Sequence, residues 1–85
     1  MKEIKYIITD ELGIHARPAG QLVKAAAACA CDVKISVNGN TADAKRIMAV
    51  MRLAAKKGDE ITLNLEGADE EAAAAKLEEF LKANL

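Results

Sequence analysis

Apolar and polar residues alternate along several short segments of the chain, which is the pattern of a half-buried β-strand. The alternation predicts strands at Lys2–Thr9, Asp32–Val37 and Glu60–Glu66. The pair Asn38-Gly39 predicts a hairpin after the second of these, because both residues tolerate the positive φ angles of a type I′ turn. A short third strand, Asn40–Ala42, should therefore pair back across the turn.

Other segments carry apolar residues at the three- and four-residue spacing of an amphipathic helix. These predict a first helix at about Ala16–Ala28, a second at about Lys45–Leu53 with Asp43 as its cap, and a third from Asp69 nearly to the C-terminus. The element order is then β-α-β-β-α-β-α. It predicts an α+β fold of two layers, with three helices on one face of an antiparallel sheet. Periodicity alone leaves the order of the strands in that sheet open.

Length, charge and hydropathy narrow the class of protein. The 85 residues allow one domain, residues 1–85, with one modest core. The formal net charge of -1 argues against general affinity for nucleic acid. No apolar run approaches membrane-spanning length, and the first residues lack a signal-peptide pattern. We therefore expect a cytoplasmic protein without membrane insertion, most simply a monomer.

The two cysteines, Cys29 and Cys31, form a Cys-x-Cys pair in an alanine-rich stretch. A disulfide framework would need more cysteines and a secreted context. With His15 they supply only three soft ligands, one fewer than a closed structural zinc site requires. We therefore expect small buried or half-buried thiols, and neither a metal nor a cofactor.

The segment Gly13–Ala19 contains the only histidine of the chain, His15, where the first helix is predicted to begin. Pro18 fits the first turn of a helix, where its missing N–H is no loss. The first N–H groups of a helix have no partner within it and the helix dipole is positive there, so an anion is favoured. Arg17 adds a charge that can bind phosphoryl oxygens through two hydrogen bonds. The pattern indicates a phosphoryl group carried on an imidazole.

No second catalytic constellation accompanies His15. The sequence has no P-loop, no glycine-rich nucleotide fingerprint, and no nearby His or Cys that could act as a base. Partner proteins must therefore supply the remaining catalytic groups. We expect a covalent intermediate in phosphoryl transfer rather than a free-standing enzyme.

The segment Gly13–Ala19 closely resembles the active-site loop of the HPr family, the histidine-containing phosphocarriers of the bacterial sugar phosphotransferase system. Ile47–Met51 resembles the second-helix signature of that family, and the element order and length match over essentially the whole chain. The resemblance implies an open-faced β-sandwich with strand order 1-4-2-3. It implies that His15 accepts a phosphoryl group at Nδ1 from enzyme I and passes it to IIA domains. Arg17 and the backbone of Ala16 and Arg17 would hold the group.

The family also implies a docking surface that the first and second helices share. Carried over to this chain, the docking residues are Ala16, Gly20, Lys24, Ile47, Met48 and Met51. The alternative for the three apolar side chains of the second helix is that they all belong to the core. A methionine side chain is flexible and can adapt to several partners. We expect these partners to include regulatory proteins. A basic rim, to which Arg17 and Lys45 would also belong, would steer acidic partners.

The chain departs from the family pattern at two positions. Arg46 stands where relatives from Gram-positive bacteria carry a regulatory serine that an ATP-dependent kinase phosphorylates. Because Arg46 has no hydroxyl, that switch cannot operate at this position. Ala54 stands where many relatives have glycine, which we expect to alter the exit of the second helix. Both departures concern regulation and partners rather than the chemistry of His15.

Two further hypotheses stand beside the phosphocarrier. One is an HPr-like binding module that docks on regulators or metabolic enzymes without supporting sugar flux. The other is a thiol or metal protein that uses Cys29 and Cys31. The intact Gly13–Ala19 motif favours the phosphocarrier.

Overall fold

The structure, a computed structural model of the protein, describes residues 1–11, 13–14 and 16–85, with only the backbone of residue 16. Within these residues the chain forms strands and helices in the predicted order β-α-β-β-α-β-α. The elements are β1 (Lys2–Ile7), α1 (Ala16–Ala27), β2 (Asp32–Val37), β3 (Asn40–Asp43), α2 (Ile47–Arg52), β4 (Glu60–Glu66) and α3 (Glu70–Asn84).

The four strands form one antiparallel sheet in the order β1-β4-β2-β3, which confirms the order that the family resemblance implied. Its register places Ile4 of β1 and Ile35 of β2 on either side of Leu63 in β4. All three side chains are buried and form one row of the core. Between β2 and β3, Asn38 and Gly39 have φ angles of 51° and 82°, as the type I′ turn requires.

The core lies between this sheet and the three helices. The inward positions of β4 alternate with exposed or half-buried ones as predicted, because its neighbours on both sides supply apolar partners to one face only. The helices contribute apolar side chains to the core as well. Those of Leu22, Ala26, Ala73, Leu77 and Leu81 are buried, and Phe80 is half-buried against them. The largest fully buried side chains are Ile8, Leu22, Ile35, Ile61, Leu63, Leu65, Leu77 and Leu81.

The second helix differs from its prediction. It begins at Ile47 rather than near Lys45, and Asp43 does not cap it. The Asp43 carboxylate instead accepts a hydrogen bond from the Lys45 N–H at 2.9 Å, and its carbonyl accepts one from the Arg46 N–H at 3.0 Å. These bonds close a turn after β3, so the helix starts only where that turn ends.

The ends of three other elements also shift. β1 ends at Ile7 rather than Thr9, α1 ends one residue before its predicted end, and β3 ends one residue after its own, at Asp43. The chain after β1 keeps bonding across to the segment before β4, because the Ile8 N–H donates to the Asp59 carbonyl at 3.0 Å. None of the helices in the described part of the chain has the length and apolar character needed to cross a membrane.

Candidate functional site

The backbone just before residue 15 is held against the connection between α2 and β4. Gly13 has a φ of +66°, and a Cβ atom there would lie 2.3 Å from the carbonyl oxygen of Ala55 and 2.7 Å from Cα of Lys56. Only glycine fits so close an approach. The N–H of the buried Ile14 donates to the same Ala55 oxygen at 3.0 Å. The motif segment is thereby tied to the residues that follow α2.

The beginning of the same loop is held by the C-terminal end of the chain. The carbonyl oxygen of Leu85 accepts hydrogen bonds from the Thr9 hydroxyl and the Asp10 N–H, each at 2.8 Å. The Gly13 N–H then donates to the Asp10 carbonyl at 3.0 Å. Backbone groups from two distant parts of the chain thus position the segment that leads into α1.

The predicted phosphoryl acceptor, His15, lies outside the described residues, as does the side chain of Ala16. α1 begins at Ala16, the residue after the histidine, so the helix start is where the sequence placed it. Pro18 is buried in the first turn, and the side chain of Arg17 is exposed beside it. The two residues line a polar pocket of about 340 Å³ next to the motif, together with Asp10, Gln21, Ala83 and Asn84.

The apolar residues of α2 lie at the surface. Ile47, Met48 and Met51 are 40%, 62% and 37% exposed, so the alternative that all three belong to the core is wrong. Val50 supplies the core contact of this helix instead. In α1, Gly20 faces Ile47, since a Cβ atom on Gly20 would lie 3.6 Å from Ile47 Cδ1. We call the surface formed by Gly20, Ile47, Met48 and Met51 the α1–α2 patch.

The predicted basic rim is only partly present around this patch. Arg17 and Lys24 are exposed on α1. Lys45, by contrast, donates from Nζ to the carbonyl oxygen of Cys29 at 3.0 Å and is half-buried. It holds the end of α1 to the turn before α2, as cations at helix C-termini do. The expectation that Lys45 belongs to the basic rim is therefore wrong, since its ammonium group is used to join two segments of the fold.

The two departures from the family pattern flank α2. Arg46 precedes the helix with an extended backbone and no capping hydrogen bond, and its largely exposed side chain lies 3.9 Å from the Asp43 carboxylate. Ala54 follows the helix with a φ of 52°, and its N–H donates to the carbonyl of Met51 at 3.2 Å. This left-handed position is one that glycine would occupy without steric cost.

Sequence reasoning missed the role of Asp69 in joining two loops. Its carboxylate accepts hydrogen bonds from the backbone N–H groups of Ala30, at 2.8 Å, and Cys31, at 2.9 Å. The first of these bonds, the thiol of Cys31 and the second backbone bond lower the pKa of Asp69. The sequence marked Asp69 only as the start of a helix, since its partners lie 38 and 39 residues away.

The two cysteines are free and buried, in agreement with the prediction of buried thiols. Burial, and then the neighbouring Asp69 carboxylate, raise the pKa of Cys31 to about 11. A thiol with so high a pKa is almost entirely protonated at neutral pH and is a poor nucleophile. Within the described residues, no group of three or more His, Cys, Asp or Glu side chains is placed to hold a metal ion.

Comparison with known proteins places this architecture in a family. Residues 2–83 match the family model of the PTS HPr component phosphorylation site. The chain is 35% identical to the histidine-containing phosphocarrier protein of Mycoplasma, with a TM-score of 0.94 over 96% of this chain and 93% of that one. It is 34% identical to the phosphocarrier protein HPr of Bacillus anthracis, with a TM-score of 0.87 over 94% and 95% of the two chains.

A third similar structure is Crh of Bacillus subtilis, a catabolite repression protein that forms a dimer with a swapped domain. It is 34% identical, with a TM-score of 0.77 over 100% of this chain and 98% of that one. The family match spans nearly the whole chain, and the strand order agrees with it. This chain therefore belongs to the HPr family, the phosphocarriers of the phosphotransferase system.

Proposed function

We propose that this protein accepts a phosphoryl group on Nδ1 of His15 from phosphorylated enzyme I and passes it to IIA domains of sugar permeases. One observation carries the proposal: the only histidine of the chain immediately precedes α1, in a segment that the Gly13–Ala55 contact ties to the residues that follow α2. The loop motif, the helix start and the docking helix are thus neighbours in this fold.

The chemistry is the transfer of one phosphoryl group to and from an unphosphorylated imidazole. The bond between phosphorus and the donor atom of enzyme I breaks as a bond forms between phosphorus and Nδ1 of His15, and in the second transfer that P–N bond breaks as phosphorus bonds to the acceptor. The first N–H groups of α1, including those of Ala16 and Arg17, favour the negative oxygens, and the Arg17 guanidinium adds a charge. Each such interaction contributes about 0.3–2 kcal/mol. Stabilisation of this size suits a group that is to be given away again.

Docking falls to the α1–α2 patch together with Ala16 and the cations Arg17 and Lys24. Met48 is the most exposed of the three large apolar side chains in the patch, and its flexible thioether can adapt to more than one partner. The exposed cations beside it favour partners with acidic rims and fast, salt-sensitive encounters. In this proposal the same patch serves enzyme I and the IIA domains in turn. We further propose that the carrier is monomeric and cytoplasmic and acts as one domain.

The proposal is tested by incubating the protein with enzyme I, phosphoenolpyruvate and magnesium, and recording intact mass and acid lability. We expect the mass to rise by one phosphate, the added group to be lost in acid, and His15→Ala to stay unmodified while its circular dichroism is unchanged. A folded wild-type protein that gains no phosphate from active enzyme I would refute the proposal. So would phosphorylation of the His15→Ala variant.

A regulatory role is the second candidate, and the similarity to Crh supports it. In that case the protein would dock on regulators or metabolic enzymes without sustaining sugar flux. Transfer from the phosphorylated protein to a purified IIA domain separates the two functions, because only a carrier delivers its phosphate there. Light scattering at working concentration tests the monomer against a dimer of the kind that Crh forms.

A further inference from the structure

A groove of about 500 Å³ lies between α1 and α3. Its volume lies in the range of sites for small organic molecules. The residues that line it are Gln21, Lys24, Ala25, Ala28, Phe80 and Asn84. Of these only Lys24 belongs to the proposed docking residues, so the proposed phosphoryl transfer leaves most of the groove without a role.

The floor of the groove is apolar and includes an aromatic ring. Phe80 is the only phenylalanine in the chain and is half-buried, with one part packed on the core and the rest lining the groove. Ala25 and Ala28 face it from the α1 side and leave room above the ring because their side chains are small. A flat apolar group can lie on Phe80 in such a space.

The lining of the groove includes one cation, Lys24, and no acidic residue. Gln21 and Lys24 lie one helical turn apart on α1, and neither side chain makes a hydrogen bond or ion pair to another described residue. The amide of Asn84 is turned to the Phe80 carbonyl, to which it donates at 3.0 Å. The uncommitted charge beside an apolar floor is complementary to an organic anion.

We propose that the α1–α3 groove binds a small organic anion that carries an apolar group, with the anionic end at Lys24 and Gln21 and the apolar group on Phe80. The shared chemistry is a carboxylate or phosphate monoester joined to a ring or branched chain. The proposal is independent of phosphoryl transfer, because the groove is complete without His15 and can be tested on the unphosphorylated protein.

The test is a titration of the ¹⁵N-labelled protein with phenyl phosphate, followed by backbone amide shifts and the side-chain amides of Gln21 and Asn84. We expect saturable shifts at these residues, at Ala25 and at Ala28, with a dissociation constant on the order of 1 mM for so small a ligand. Benzoate in a parallel titration separates a carboxylate from a phosphate source. Inorganic phosphate and benzyl alcohol carry only one half of the ligand each, and both should bind at least about tenfold more weakly.

Two matched variants locate the site. Ala28→Glu places a carboxylate in the groove, whereas Ala27→Glu places the same charge at an exposed neighbour that does not line it. Ala28→Glu should weaken phenyl phosphate binding about tenfold or more, and Ala27→Glu should leave it within about twofold. Equal weakening by both variants would overturn the proposal, as would shifts that inorganic phosphate reproduces at the same concentration. Absence of saturable shifts with either organic anion would overturn it as well.

Discussion

Gly13 and Ala55 are in backbone contact. A Cβ atom on Gly13 would lie 2.3 Å from the Ala55 carbonyl oxygen, and that oxygen also accepts the Ile14 N–H at 3.0 Å. Ala55 follows α2, and Gly13 lies two residues before His15. The segment that precedes the proposed acceptor is therefore held directly against the residues that follow the docking helix.

This contact predicts that Gly13→Ala destabilises the fold strongly. The substitution combines a positive φ with a steric overlap against backbone, which together should lower the free energy of unfolding by about 2–4 kcal/mol. Gly39→Ala is the matched control, because Gly39 has a φ of +82° but no atom within 4 Å of the added Cβ. It should cost only about 1 kcal/mol. Urea denaturation measures both, and equal costs would show that the Ala55 contact contributes nothing.

Ala54 predicts a substitution that stabilises the protein. Its φ of 52° places a methyl group in the left-handed region, and Ala54→Gly relieves that strain at the cost of a more flexible unfolded chain. The free energy of unfolding should rise by about 0.5–1 kcal/mol. Ala75→Gly, at an exposed position inside α3, should lower it by about 1 kcal/mol. Thermal denaturation that ranks Ala54→Gly below the wild type would contradict this account of the helix exit.

Asp69 predicts a pH-dependent contribution to stability. Its carboxylate is stabilised in the fold by the N–H of Ala30, the thiol of Cys31 and the N–H of Cys31, so its pKa lies below the ordinary value of 3.8. A group with a lowered folded-state pKa stabilises the protein above its unfolded pKa, and this stability is lost as the pH falls through the folded pKa.

Asp69→Asn should therefore lower the melting temperature at pH 7, and the gap to the wild type should narrow as the pH falls below 3.8. Asp32→Asn removes the same charge from an exposed position of β2 and serves as the control. Melting curves from pH 7 down to acid check the trend. A gap that stays constant over this range would mean that the charge of Asp69 has no part in holding the two loops.

Local patterns predicted much of the fold because their causes are local. The bounds of β2 and β4 and the Asn38-Gly39 turn agree with the sequence, since alternation and turn chemistry act within a few residues. The predicted start of α2 was wrong because the side chain and carbonyl of Asp43 accept hydrogen bonds that close a turn before the helix begins. The bonds of Asp69 and of Lys45 join segments far apart in the sequence, which no local pattern reports.

The candidate site divides in the same way. The motif around His15 and the start of α1 could be read from residue type and spacing. The exposure of Met48 could not, because an apolar helix residue is as readily core as surface until its packing is known.

That exposure predicts a docking defect without a folding defect. Met48→Glu puts a carboxylate at a position of the patch that is 62% exposed. It should raise the KM of enzyme I for this protein at least about tenfold while leaving the melting temperature nearly unchanged. Ile7→Glu changes a side chain of similar exposure, 56%, on the sheet strand β1 and should leave KM unaltered. Phosphorylation rates at varied carrier concentration provide the comparison. If Ile7→Glu proved equally harmful, the α1–α2 patch would not be the docking surface.

The most direct test of the central claim is the position of the phosphoryl group itself. Since His15 is the only histidine of the chain, long-range ¹H–¹⁵N NMR of the imidazole before and after treatment with enzyme I and phosphoenolpyruvate needs no further assignment. The account predicts that the Nδ1 resonance acquires coupling to phosphorus on phosphorylation, and that the Nε2 resonance acquires no such coupling. A phosphorylated protein whose imidazole resonances show no phosphorus coupling would contradict it.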